Sequence, residues 1–138
     1  MVPGVTAACA AAASLQIPLT HRDIARSVHF ITGHGSDGTV PAHDWAALAA
    51  SRGTIAAYMA ERTLAQVADR LMAAGLSAAT PCVAVEDASR PNERHVPGTL
   101  RALPARLAAL GLSGPTLVLI GSVVALAQQK VAISQQAA

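Results

Sequence analysis

The segment LAQVADRLMAAG, residues 64–75, decides the fold class, because a short connection joins it to the apolar run PCVAV, residues 81–85. Its apolar side chains repeat at the spacing of one helical face: Leu64, Val67, Ala68, Leu71 and Met72. Gly75 is suited to end that helix. An amphipathic helix followed by a short buried strand is a typical unit of a layered α/β domain.

Helices and strands alternate on both sides of this unit. Strands are predicted at 27–32, 54–59, 81–85, 94–100 and 116–120, and the remaining helices at 7–15, 44–51 and 103–110. The third and fourth strands are separated only by a turn-rich loop, so we expect them to pair as a hairpin. The prediction is a single α/β domain over residues 1–127, with a mixed five-stranded sheet flanked by helices. The polar residues 128–138 are expected to be a frayed tail.

Composition narrows the class of protein. A chain of 138 residues is the size of one domain, and 52% hydrophobic with 2% aromatic residues implies a core of small aliphatic side chains. No apolar run approaches the roughly 18 to 20 residues of a membrane-spanning helix. No basic segment precedes the first apolar run, so we expect a cytoplasmic protein. A net charge of +2 with 13% charged residues is too weak for a nucleic-acid-binding face.

Cysteines and histidines do not predict a metal site. Cys9 and Cys82 lack paired spacing, and both are interpreted as small buried thiols in a reducing compartment. The spacing of His29, His34 and His43 matches no common metal motif. The glycines around His34 do not open directly into a helix, as a dinucleotide fingerprint requires. The chain also lacks a GxSxG elbow, which leaves nucleophilic catalysis unsupported.

Two short stretches flank the first predicted helix. VPGVTA, residues 2–7, is a turn that leads into the helix, with Thr6 placed to cap it through its hydroxyl. PLTHRD, residues 18–23, follows the helix, which Pro18 is expected to end. Taken alone, PLTHRD is a helix exit with His21 and Arg22 facing solvent.

The combination of six motifs in one order is more specific than any of them alone. They are VPGVTA at 2–7, IPLTHRD at 17–23, SVHFITGH at 27–34, the YM pair at 58–59, VEDASRPNERHVPGTL at 85–100 and PTLVLIGSVV at 115–124. In these motifs the chain resembles the uroporphyrinogen-III C-methyltransferases of the tetrapyrrole methylase family. The likeness runs over nearly the whole chain, and PLTHR after the PG turn is a specific signal within it.

The resemblance implies a methyltransferase that uses S-adenosylmethionine and no metal. Carried over by position, the cofactor contacts would be Thr6, Ala7, Met59 and Ala88. A small residue at 88 would let the backbone approach a ligand closely. From the residues alone, Met59 is equally well explained as core filler, and Thr6 as a plain helix cap.

The implied substrate is uroporphyrinogen III, which the family methylates at two ring carbons to give precorrin-2. Arg22 resembles the family's substrate-side arginine, and a guanidinium fork pairs well with the substrate's carboxylates. His21 would assist, although a structural role for it is equally compatible with the sequence.

The likeness covers only the C-terminal half of the family, whose N-terminal half carries a GxGPG turn and the proposed proton acceptor. We therefore expect a fragment whose N-terminal domain is absent, with no catalytic residue of its own, inactive alone and retaining the family's homodimer contacts. The alternatives are a non-catalytic dimerisation module, and a methylase that acts on another tetrapyrrole. Two departures stand out: Ala60 replaces a common glycine and is expected to narrow the cofactor pocket, and Ser122 stands where an acidic residue often follows the last strand.

Overall fold

The computed structural model describes residues 1–127, so the predicted tail lies outside the described residues. Its helices are α1 (Ala7–Ser14), α2 (Trp45–Ser51), α3 (Leu64–Ala73) and α4 (Leu103–Leu110). Its strands are β1 (Val28–Thr32), β2 (Thr54–Tyr58), β3 (Pro81–Glu86), β4 (Arg94–Thr99) and β5 (Thr116–Ile120), and a 3-10 turn follows at Ser122–Val124. Each predicted element is present within one or two residues of its expected bounds.

The five strands form one mixed sheet in the order β1-β2-β5-β3-β4. β1 and β2 are parallel, whereas β5 is antiparallel to both of its neighbours. β3 and β4 pair as an antiparallel hairpin, from Pro81 opposite Thr99 to Glu86 opposite Arg94. The predicted fold class and hairpin are therefore confirmed, and β1, β2 and β3 all run in the same direction.

The two faces of the sheet are covered by different helices, and β5 contributes alternately to each. Val118 and Ile120 belong to the core cluster shared with α2, α3 and α4, and Leu117 and Leu119 belong to the cluster shared with α1. All residues of β5 are buried. This near-continuous apolar strand is what a position at the centre of a doubly covered sheet demands.

Close approach of α1 to the sheet depends on alanine. The buried residues of α1 are Ala8, Ala11 and Ala12, so the helix presents only methyl groups to the cluster that contains Leu117 and Leu119 of β5. Cys9 lies on the outer side of the same helix and is exposed, so the prediction of a buried thiol there was wrong. The prediction was right for Cys82, whose burial raises the pKa of its thiol to about 12.

The first helix ends before the proline that was expected to end it, and left-handed residues follow both α1 and α2. α1 ends at Ser14 with Gln16 in a left-handed conformation (φ 54°), so the chain has already left the helix before Pro18. α2 ends at Ser51 as predicted, and Arg52 follows it in the same conformation (φ 51°). Gly53 is required next to it, since a Cβ there would lie 2.9 Å from the carbonyl oxygen of Ser27.

Within residues 1–127, none of the helices combines the length and the apolar character needed to span a membrane.

Truncating a fully buried side chain of α3 tests the assignment of the core. Leu71 has no exposed surface, and we expect Leu71→Ala to lower the free energy of unfolding by about 2–5 kcal/mol through lost burial and a residual cavity. Leu110 on α4 is 50% exposed, so Leu110→Ala is the matched control with a loss below about 1 kcal/mol. Denaturant titration measures both, and equal losses would contradict the assignment.

Candidate ligand-binding cleft

A cleft of about 490 Å³ lies at the edge of the sheet where β1, β2 and β3 end. Because β5 is antiparallel to β2 and β3, its first residues reach the same edge. The cleft is lined by Ala7, His34, Tyr58, Met59, Glu61, Arg62, Val85, Asp87, Ala88, Arg90, Pro115, Thr116 and Leu117. In open α/β sheets, ligands bind outside the carboxyl ends of the strands, and this cleft has that location.

Two lining residues have unusual backbone conformations at equivalent places. Met59 follows β2 with φ 52°, and Asp87 follows β3 with φ 51°. A left-handed conformation is uncommon for residues other than glycine, and such residues cluster at functional sites. Both residues line the cleft, where Met59 is 59% exposed.

The hydroxyl of Tyr58 holds the start of α1 against the end of β2. It accepts a hydrogen bond from the backbone N–H of Ala8 (3.1 Å) and shares a second bond with the Thr6 hydroxyl. Thr6 occupies the N-cap position, but its side chain does not bond a helix amide. The predicted capping role of Thr6 was therefore wrong, because Tyr58 satisfies that amide instead.

A buried carboxylate supports the opposite wall. Glu86 is 2% exposed and accepts hydrogen bonds from the backbone N–H groups of Ser113 (2.9 Å) and Gly114 (2.7 Å). Arg94 donates to the same carboxylate through Nε at 2.6 Å. The N–H of Gly114, with Arg94 and Ser113 adding to it, lowers the pKa of Glu86 despite its burial. Glu86 thus fixes the turn that leads into β5.

The predicted cofactor residues come together. Ala7, Met59 and Ala88 all line the cleft, although they belong to three separate segments of the chain. Thr6 does not line it, but it contacts Tyr58, which does.

The two predicted substrate residues lie elsewhere. They belong to the turn that follows α1, where the backbone N–H of Asp23 donates to His21 Nδ1 (3.2 Å) and Arg26 Nε donates to the Arg22 carbonyl (3.1 Å). Asp23 lines a separate cavity of about 340 Å³, together with Ser122. The substrate roles of Arg22 and His21 stay predictions.

Ala60 does not narrow the cleft, contrary to the expectation from the sequence. It is fully buried in the core and packs against Gly33, where an added Cβ would lie 2.6 Å from the Ala60 Cα. It is not among the residues that line the cleft, so its methyl group does not narrow that space.

Several lining residues were missed by the sequence reasoning, in particular Tyr58, Asp87 and Arg90. A usable signal was present, since Tyr58 ends one predicted strand and Asp87 and Arg90 lie just beyond another. Of the histidines considered as ligands, His34 lines the cleft and His43 Nε2 donates to the Thr32 carbonyl (2.8 Å). Over residues 1–127, no group of three potential metal ligands is brought together.

The chain is similar to known proteins in sequence over most of its length. Residues 1–104 match the model of the Tetrapyrrole (Corrin/Porphyrin) Methylases. A siroheme synthase of Chromobacterium violaceum is 45% identical over 120 residues, which are 87% of this chain and 25% of that protein. A siroheme synthase of Thiobacillus denitrificans is 40% identical over 138 residues, 100% of this chain and 29% of the relative. The chain therefore spans between a quarter and a third of the length of these relatives.

Solved structures with the same fold were also found. Uroporphyrin-III C-methyltransferase of Thermus thermophilus in its native form superposes with a TM-score of 0.75 at 30% identity, covering 91% of this chain and 51% of that one. The same enzyme complexed with S-adenosylhomocysteine gives 0.74 at 30% identity, covering 91% and 53%. The cobalt precorrin-4 methyltransferase CbiF gives 0.80 at 29% identity, covering 89% and 52%.

Removing one hydroxyl tests how α1 is anchored to the cleft. Tyr58→Phe loses the bonds to Ala8 and Thr6, and we expect a loss of about 1 kcal/mol in the free energy of unfolding. Hydrogen exchange of the Ala8 amide should accelerate more than that of Ala11 in the same helix, since only the first amide loses its partner. Unchanged exchange at Ala8 would contradict the anchoring role.

The lowered pKa of Glu86 predicts a specific dependence of stability on pH. Its ionised form contributes full stabilisation above the ordinary value of 4.5, and this contribution is lost as pH falls through the lowered native pKa. At pH 7 we expect Glu86→Gln to unfold more easily by about 1–3 kcal/mol, with the difference shrinking below about pH 5.

Asp69→Asn removes an exposed carboxylate of α3 and controls for net charge in this comparison. Urea titrations of the three proteins between pH 3 and pH 7 provide the measurement. If the free energies of unfolding of the parent and Glu86→Gln differ by the same amount at pH 3 and at pH 7, the charge of Glu86 does not stabilise the turn.

Proposed function

Because the chain belongs to the tetrapyrrole methylase family, we propose that its cleft binds S-adenosylmethionine for methyl transfer to a carbon of a tetrapyrrole. The observation that carries this proposal is the meeting of Ala7, Met59 and Ala88 in one cavity. These residues come from α1, the end of β2 and the loop after β3. Residues far apart in sequence that share one cleft are expected of a binding site, and core filler would be distributed through the interior instead.

The residues present suit such a ligand. The cleft volume of about 490 Å³ lies within the range of small-molecule sites. Its apolar surface includes Val85 and Leu117, and the small side chains of Ala7 and Ala88 allow close approach to the backbone. When bound, S-adenosylmethionine supplies an electrophilic methyl group on its sulfonium. The protein's part is to orient that methyl group toward the acceptor carbon.

We further propose that the substrate is uroporphyrinogen III, bound by Arg22 with His21 beside it and converted to precorrin-2. Arg22 is exposed and its guanidinium suits carboxylate recognition. α1 has eight residues and is about 12 Å long, so a ligand that reaches both the cleft and the turn after α1 must be extended. A macrocycle with carboxylates on its periphery is a ligand of this kind. The homodimer implied by the resemblance stays a prediction.

A methylase that acts on another tetrapyrrole is the second candidate. It is favoured by the TM-score of 0.80 to CbiF, compared with 0.75 to the Thermus enzyme. The 45% identity to a siroheme synthase favours uroporphyrinogen III, because sequence identity reports side chains and superposition reports only the backbone. A binding competition between uroporphyrinogen III and cobalt precorrin-4 separates these two candidates.

The 138-residue chain by itself is expected to bind the cofactor weakly and to transfer no methyl group. Met59 is 59% exposed, so the cleft leaves one side of a ligand in contact with water. Losing several kcal/mol of contact weakens binding on the order of a thousandfold, from a micromolar to a millimolar dissociation constant. Micromolar affinity in calorimetry would contradict this expectation.

Titration with S-adenosylhomocysteine, followed by NMR, tests the proposed site. We expect shifts of the amide resonances of Ala7, Met59 and Ala88, saturating in the millimolar range. Met59→Ala should weaken binding about threefold to tenfold, because roughly 1 kcal/mol of apolar contact is lost. Leu110→Ala, which truncates a 50% exposed side chain of α4, should leave affinity unchanged. Shifts confined to other parts of the chain would overturn the proposed site.

A further inference from the structure

We propose that the Asp87 carboxylate accepts a hydrogen bond from an N–H or O–H group of the ligand, and that the Arg90 guanidinium covers this carboxylate until the ligand binds. The inference rests on the proposed function, since it concerns the same cleft. It assigns a role to two side chains that neither the sequence motifs nor the resemblance singled out.

The position of Asp87 brings its side chain to the cleft. Asp87 is the first residue after β3, and it lines the cleft together with Val85 of that strand. The backbone N–H of Asp87 donates to the Pro115 carbonyl (2.9 Å), which continues the pairing with β5 by one residue. Its left-handed conformation and 7% exposure mean that the surrounding structure fixes the carboxylate in place.

The two oxygens of this carboxylate differ in their partners. Oδ2 accepts a hydrogen bond from Asn92 Nδ2. Oδ1 is buried, and nothing in residues 1–127 donates a hydrogen bond to it. Leaving a buried acceptor unsatisfied is costly, and it is rare in native proteins. The oxygen therefore has an unused acceptor site beside a cleft in which a ligand is proposed to bind.

The Asp87 carboxylate occupies the space beside Gly114 that a side chain would otherwise fill. A Cβ at position 114 would lie 2.6 Å from Oδ2 and 2.9 Å from Oδ1, so the carboxylate occupies space that only a glycine leaves free. Since Glu86 bonds the backbone N–H of Gly114, the same network that fixes the turn before β5 also places Asp87. The acceptor is thus held in position before a ligand arrives, which lowers the entropic cost of binding.

Arg90 is a replaceable cover over Oδ1. Its Nη1 lies 3.5 Å from Oδ1, which is longer than a good N–H···O hydrogen bond. Its side chain is 64% exposed, whereas that of Asp87 is 8% exposed, so the guanidinium is free to move and the carboxylate is not. Ion pairs with such an exposed partner contribute little. A ligand donor in the cleft can therefore take the place of Arg90.

The chemistry of Oδ1 defines the class of group that it recognises. An ionised carboxylate only accepts hydrogen bonds, so its partner must be a donor. S-adenosylmethionine carries donors at both ends, namely the amino group of its amino-acid part and the hydroxyl and amine groups of its nucleoside. The role proposed for Asp87 is recognition, and no proton is transferred.

The test is an NMR titration of the 138-residue chain with S-adenosylhomocysteine, comparing parent, Asp87→Asn and Arg90→Ala. The side-chain amide of Asn has one acceptor oxygen, whereas the carboxylate of Asp has two. Either Asn92 or the ligand therefore loses its hydrogen-bond acceptor in Asp87→Asn, and we expect about tenfold weaker binding. Arg90→Ala removes the competing cover and is expected to bind equally well or up to fivefold more tightly. A loss in Asp87→Asn without a loss in Arg90→Ala separates recognition by Asp87 from a general disturbance of the cleft.

Two controls match the variants. Asp69→Asn makes the same change of charge on an exposed part of α3, and Glu93→Ala loosens the loop after β3 by removing the acceptor of the Ser89 N–H, with no contact to the Asp87 carboxylate. Both are expected to bind within about twofold of the parent. If Glu93→Ala weakens binding as much as Asp87→Asn, the effect belongs to the loop and the inference fails.

The remaining outcomes separate the inference from the proposed function. Cleft shifts in the parent together with unchanged affinity of Asp87→Asn would overturn the inference and leave the proposed function standing. No cleft shifts in the parent at all would overturn both. A tenfold loss in Arg90→Ala would show that Arg90 holds the ligand, which contradicts its role as a cover. Should Asp87→Asn fail to fold, a tenfold loss of affinity in Arg90→Ala would still contradict the inference.

Adenosine, which lacks the amino-acid end, is the second probe. If Asp87→Asn weakens adenosine as well, the donor lies on the nucleoside, and if it weakens S-adenosylhomocysteine alone, the donor is the amino group. Both results support the inference.

Discussion

The antiparallel placement of β5 between two parallel strands is the constraint on which the rest of the structure depends. Within residues 1–127 it is the strand that hydrogen-bonds both β2 and β3, and every one of its residues is buried. Because it runs against its neighbours, it brings its own beginning to the edge where they end. The cleft lies at that edge because β2 and β3 end there and β5 begins there. Glu86 then fixes the turn before β5 through two backbone N–H groups.

Much of the fold follows from periodicity and turn residues. The apolar spacing of α3 and the short apolar runs of β3 and β5 predicted those elements closely, because burial and hydrogen bonding both act locally there. Helix ends were less predictable. Gln16 and Arg52 adopt left-handed conformations that neither residue type favours, so tertiary packing decides where α1 and α2 end.

The site was predictable only in part. Small residues at 7 and 88 and the thioether at 59 were identified through the resemblance, and the structure brings them to one cleft. Asp87 and Tyr58 were not identified, since their importance comes from partners distant in sequence: Pro115 for Asp87, and Thr6 and Ala8 for Tyr58. A hydroxyl that caps a helix from another strand leaves no local pattern. The position just after a buried strand is the useful guide in such a sheet.

The contrast between the two cysteines has a practical consequence. Cys82 is buried and its thiol keeps its proton at neutral pH, whereas Cys9 lies on the outer side of α1. A thiol-directed fluorophore will therefore attach to Cys9 in the folded protein and leave the interior unlabelled. Since α1 starts at the cleft, a dye on Cys9 offers a way to follow the proposed ligand binding without engineering a new attachment point.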